Sequence, residues 1–253
     1  MTADKQVSAV NDRAYWITWY DLPDERREAQ LSWIAESYIP KMLELPGVLW
    51  GAHYAAEKNV VPLGGGQGRV KLHAKPGEVP GGKQYVLIFG AAEPHVFSDP
   101  GASAFNAGLP QSDRDMLAAM EGVRTNLMLE EARVLGPGIG PDEPVAPAIQ
   151  LGSFNAVLPD VEDELSTWYT QWRLPSIAKV PGIVRVRKLV SVAGWAKHAC
   201  CYEFSSLDAR SAHFIHYEDD RPDMVAWSTD VVSTLIHATP RAIVARRIWP
   251  SVG

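Results

Sequence analysis

Residues 33–54 read WIAESYIPKMLELPGVLWGAHY, and residues 168–190 repeat the plan as WYTQWRLPSIAKVPGIVRVRKLV. Pro40 returns as Pro175, and Leu45-Pro46-Gly47-Val48 returns as Val180-Pro181-Gly182-Ile183, both at an offset of 135. Each copy describes the same passage of chain. A helix carries a buried stripe every three or four residues, a proline loosens its last turn, a Pro-Gly pair stops it, and a strand follows. Farther out, Leu22-Pro23-Asp24 returns as Leu158-Pro159-Asp160 at an offset of 136, and Asp115-Met116 as Asp223-Met224 at 108. The smaller offset puts about 27 extra residues in the first copy, where the Gly/Pro-rich stretch NVVPLGGGQGRVKLHAKPGEVPGGK stands.

The flanks complete a unit. Residues 14–21 (AYWITWYD) are aromatic and β-branched, as a strand requires, and Asp24 offers an N-cap to a helix carrying Leu31, Ile34, Tyr38, Met42 and Leu45. The second copy answers with Leu165, Trp168, Tyr169 and Trp172. Third strands are expected at 84–91 and 198–206, second helices around 112–128 and 222–237, and fourth strands in EEARVLGP and RAIVARRIWP. The order β-α-β-β-α-β, twice, predicts an α+β fold of two tandem ferredoxin-like repeats. The first spans 1–137 with its insertion at 58–83, the second spans 148–253, and GPGIGPDEPVAP links them. Such a sheet has helices on one face, so the two bare faces are expected to cover each other as an intrachain dimeric α/β-barrel. That makes the chain a monomer with pseudo-twofold symmetry. If each half pairs with a second copy instead, it is a homodimer.

A net charge of −6 argues against nucleic acid as a partner, because phosphate binding needs clustered Lys and Arg. The first twelve residues are polar and no run of about 18 apolar residues occurs, so a cytoplasmic chain without a membrane partner is expected. Cys200 and Cys201 are adjacent in a strand, where their side chains point to opposite faces, and they read as small buried hydrophobes.

The segments 33–54 and 168–190 resemble the dimeric α/β-barrel superfamily, in particular its EthD-like members, whose helix carries His-x-Pro before a Leu-Pro-Gly turn. In this chain the histidine position holds Tyr38 in one copy and Arg173 in the other. The resemblance implies a small-molecule site beside the sheet. It spans cofactor-free monooxygenases, polyketide cyclases, lactone isomerases and haem-dependent enzymes, so fold alone does not choose a reaction.

Alternation along the second strand separates Trp50 and Tyr54 from His53, and the repeat aligns Arg185 and Arg187 with Trp50 and Ala52. This set is expected to line the inter-repeat space. The arginines would hold an enolate or anionic oxygen there, or form an inter-repeat salt bridge. His53 is the candidate general base, with Tyr38 and Tyr54 orienting the substrate and Arg187 stabilising charge; Trp19, Trp50, Tyr85, Arg185 and His216 are candidate binding residues. The cluster His213–Asp220 does not have the spacing of a metal motif, and no metal or other cofactor is expected. The glycines at 64–66 and 81–82 lack a P-loop's Lys-Ser/Thr and read as a hairpin insertion able to act as a lid. The leading expectation is an enzyme acting on an aromatic or conjugated carbonyl substrate in a barrel cavity, by proton transfer or cofactor-independent oxygenation. A non-catalytic hydrophobic-ligand-binding or stress-response protein and a haem-binding enzyme are the alternatives.

Overall fold

The computed structural model describes residues 11–60, 69–238 and 242–252. Along the chain the strands are β1 (Ala14–Asp21), β2 (Val48–Ala56), β3 (Leu72–His73), β4 (Tyr85–Ala91) and β5 (Glu121–Leu135). They continue as β6 (Ala148–Ala156), β7 (Ile183–Ala193), β8 (His198–Phe204), β9 (Leu235–His237) and β10 (Ile243–Trp249). The first half forms the strand order β2-β4-β1-β5 and the second β7-β8-β6-β10. Antiparallel pairing of β5 with β7 and of β10 with β2 closes these eight strands into a barrel. The short β9 and β3 extend outward from β6.

Helices cover the outside: α1 (Arg27–Trp33), α2 (Ile39–Glu44), α3 (Ala102–Gly108) and α4 (Gln111–Ala118) on the first half. The second half carries α5 (Glu162–Trp168), α6 (Leu174–Ile177), α7 (Leu207–Ala212) and α8 (Pro222–Ser233). The helix expected over 112–128 ends at Ala118, because Gly122, at φ +56°, turns the chain into a long β5. In the second half α8 likewise stops at Ser233, and Leu235–His237 pair as strand.

The prolines act as expected. Between α1 and α2 the residues Ile34–Tyr38 form a π-turn in which the Ile39 N–H bonds the Ile34 carbonyl, five residues back. Tyr169–Arg173 repeat this before α6, with the Leu174 N–H on the Tyr169 carbonyl. Pro40 and Pro175 have no N–H to give, and a widened turn relieves the clash of each ring with the carbonyl four residues earlier. Its consequence is positional: Tyr38 and Arg173, each closing its π-turn, are buried beneath the helices.

Strand alternation follows the predicted faces. Tyr15, Ile17 and Trp19 of β1, Trp50 and Tyr54 of β2, Leu189 of β7 and Cys201 of β8 pack inside the barrel, and Cys200 packs outside. Arg185 and Arg187 point inward into a charged knot that joins the halves. Arg187 Nε donates to Glu203 at 2.6 Å, its Nη1 lies 3.0 Å from Asp12 and 3.2 Å from Glu130, and Arg185 Nε donates to Glu203 at 2.9 Å. Burial alone would raise the Glu203 carboxyl, but the guanidiniums of Arg187 and Arg185 outweigh it and hold the group below its ordinary range. With these side chains in place the interior keeps a void of about 10 Å³, room for one water. The barrel is therefore a packed core, and the inter-repeat space is not the substrate cavity that the inward arginines and aromatics led one to expect.

Candidate functional site

Because Tyr15, Ile17 and Trp19 turn inward, Trp16, Thr18 and Tyr20 turn outward toward the helices. There they form the floor of a cavity of about 510 Å³, together with Leu87 of β4 and Val123 and Thr125 of β5. Its other walls are Tyr38 from the π-turn, Asn106 and Ala107 of α3, Arg114, Leu117 and Ala118 of α4, and Met120. Small residues at 107 and 118 leave the space that bulky helix residues would fill. Helix α4 is tied down from below, where Trp33 Nε1 donates to Asp113 at 2.9 Å and Lys41 ion-pairs with the same carboxylate.

The polar groups of the cavity are few. The Tyr38 hydroxyl donates to Asn106 Oδ1 at 3.1 Å. Burial raises its pKa well above the ordinary phenol value, against a smaller lowering by Asn106, so it is a neutral phenol at physiological pH. Trp16 Nε1 donates to Thr18 Oγ1 at 3.2 Å, and Thr18 Oγ1 lies 3.0 Å from Thr125 Oγ1. Arg114 clamps the α3–α4 junction through Nη1 to the Leu109 carbonyl at 2.7 Å and keeps an exposed guanidinium in the cavity wall. Neither a carboxylate nor an imidazole is among the lining residues.

The predicted site residues do not converge on one place. Tyr38 lines the cavity. His53 lies behind the wall, where its Nε2 shares a 2.6 Å hydrogen bond with the Tyr20 hydroxyl, and burial depresses its pKa to about 3. It is not among the residues lining the cavity, and a pKa this low makes it a weak base. Tyr85 stacks on Tyr20 with centroids 5.5 Å apart. Trp19, Trp50, Tyr54, Arg185 and Arg187 face the barrel interior, on the other side of the sheet. Trp19 lies under Arg124, the Trp50 indole donates to Asp12 at 2.8 Å, and Tyr54 donates to the Ala146 carbonyl at 3.0 Å. For the arginines the salt-bridge alternative describes the structure, and Arg187 has no substrate space to act on. His216 is exposed on the second half beside Asp219, while Glu218 turns inward, so this cluster does not converge either. Sequence reading missed Thr18, Asn106, Arg114 and Thr125. For Thr18 the signal was present, in the alternation of β1 opposite Tyr15 and Ile17.

In the second half a buried arginine stands at the matching position. Arg173, the counterpart of Tyr38, sits over the Trp168 ring, donates to the Tyr202 hydroxyl at 2.6 Å, and lies 3.4 Å from Glu218. Arg69, from the insertion, pairs with the other Glu218 oxygen and donates to Thr229 at 3.1 Å, and β3 pairs in parallel with β9. Residues 69–73 of the insertion therefore strap the second half, whereas Gly82 and Lys83 return to the first, on the Gly122 carbonyl at 2.9 Å and the Asp21 carboxylate at 2.7 Å; Gly64, Gly65 and Gly66 lie outside the described residues.

No family model and no curated protein matches the sequence. Solved structures match along nearly the whole chain. An anthrone oxidase-like protein is 11% identical with a TM-score of 0.59, covering 95% of this chain and 92% of its own. A Fusobacterium nucleatum protein assigned as a monooxygenase is 10% identical with a TM-score of 0.55, covering 96% and 93%. A protein assigned as a chlorite dismutase is 10% identical with a TM-score of 0.52, covering 94% and 95%. These are dimeric α/β-barrel proteins, and the closed eight-stranded barrel of this chain has their fold.

Proposed function

We propose that the chain is a small-molecule enzyme of oxidase or monooxygenase type, acting on an aromatic or conjugated carbonyl compound in the cavity of its first half. Its two halves are read as ferredoxin-like repeats, of which one keeps the cavity and the other has a buried arginine at the matching position. The observation that carries the proposal is the cavity itself: about 510 Å³ of aromatic-walled space with five kinds of hydrogen-bonding side chain, where the second half holds Arg173 and its partners. The names of the structural neighbours, anthrone oxidase-like and monooxygenase, support it.

The lining dictates a division of labour. With no imidazole or carboxylate in the wall, the substrate has to bring its own acidity, as an enolisable CH2 beside aromatic rings does. Its proton leaves to solvent, and Arg114, with the Tyr38 hydroxyl turned from Asn106 onto the substrate oxygen, stabilises the enolate. Dioxygen then converts the CH2 to a carbonyl, with water as the other product. A haem seated here would find no imidazole ligand in the wall.

Oxygen uptake with a panel of hydroxylated anthrones tests the reading. The expected result is turnover whose pH dependence follows the substrate's ionisation, about tenfold slower in Tyr38→Phe and abolished in Ala118→Trp, which fills the cavity. Wild-type rates in Ala118→Trp, or no turnover of any enolisable substrate, would overturn it.

A further inference from the structure

The cavity floor holds a hydrogen-bond chain whose last proton is unspent. Thr18 and Thr125 are direct cross-strand partners on β1 and β5. Their hydroxyl oxygens are 3.0 Å apart, and the Trp16 indole donates to Thr18 from 3.2 Å. An indole N–H is a donor only, so Thr18 Oγ1 is an acceptor toward Trp16. The two hydroxyls own two protons, and the contact between them uses one. Whichever threonine donates, one O–H is left, and both side chains line the cavity. The indole also polarises the chain toward its free end.

We infer that the Thr18–Thr125 pair is an oxygen anchor, giving a hydrogen bond to the carbonyl or enolate oxygen of a planar aromatic ligand lying over β1 and β5. The inference rests on the functional reading above and adds the atoms that orient the substrate. Cross-strand threonine pairs also stabilise sheets, so the test has to separate recognition from stability.

Fluorenone and fluorene differ by a carbonyl in place of a CH2, and equilibrium dialysis measures both. The fluorenone-to-fluorene affinity ratio is expected to fall about tenfold in T18V/T125V, the loss of one hydrogen bond, and to return in T18S/T125S. A sheet-stabilising role alone would leave the ratio unchanged in T18V/T125V, and that result overturns the anchor while leaving the cavity assignment standing. Binding of both probes that is indifferent to Ala118→Trp would instead overturn the cavity assignment, and the anchor with it.

Discussion

His53 is 1% exposed and hydrogen-bonded to a phenol, a setting that excludes a charge. An unfolded chain takes up a proton near 6.5, while the folded chain refuses it until about 3. The unfolded state therefore binds more protons between these values, and stability that is full above 6.5 declines as the pH falls toward 3. Between pH 7 and pH 5 the loss from this group is about 2 kcal/mol. His53→Gln keeps a neutral acceptor and cannot titrate, so its urea midpoints at pH 7, 6 and 5 are expected to lie closer together than those of the wild type by that amount. Parallel dependences would show that His53 is not the group responsible. At this scale the sequence showed which face a residue occupies, because the period of a strand is two, but not what lay beside it. Trp50 illustrates the limit: its indole rests over Gly90 of β4, where an added Cβ would meet Nε1 at 2.2 Å. That fit depends on cross-strand register, which a single strand does not encode.

Among the elements, the insertion between β2 and β4 shows how length is legible and docking is not. Its extra residues follow from two unequal repeat offsets. Its destination depends on Glu218, a residue about 150 positions away that reads as loop chemistry next to Asp219 and Asp220. Burial alone would raise the Glu218 carboxyl; Arg173 first, then Tyr217 and Arg69, pull it below the ordinary range. Removing Arg69 leaves buried Glu218 with the Arg173 cation and the Tyr217 and Ser228 hydroxyls, and Arg69→Ala is expected to cost about 2 kcal/mol in denaturant unfolding, below the loss of a wholly unpaired buried charge. Its fluorenone affinity is expected to match the wild type, because Arg69 bonds only second-half residues and does not line the cavity. Changed affinity would favour the lid reading. The π-turns, by contrast, were foreshadowed by Pro40 and Pro175, since a proline's missing N–H acts locally.

For the whole molecule, the tandem pattern anticipated a barrel closed within one chain, and the seams β5–β7 and β10–β2 close it. The sequence reading took the enclosed space for a substrate pocket, and the structure makes it a core. Charge settles the matter: Arg133, Arg185 and Arg187 meet Asp12, Glu130 and Glu203, so the two halves neutralise each other inside the barrel. Arg187 is the keystone, since it bonds Glu203 of its own half while its Nη1 reaches Tyr15, Asp12 and Glu130 of the other. Two halves sharing both seams and one charged core should unfold together. Far-UV circular dichroism and tryptophan fluorescence are expected to trace a single coincident urea transition. Arg187→Met keeps most of the side-chain volume but leaves buried carboxylates short of a cation, which typically costs about 3–5 kcal/mol. The midpoint should therefore fall with the slope of the transition unchanged. Two resolved transitions in the wild type would mean that the halves are autonomous, and a wild-type midpoint in Arg187→Met would mean that apolar packing alone holds the barrel shut.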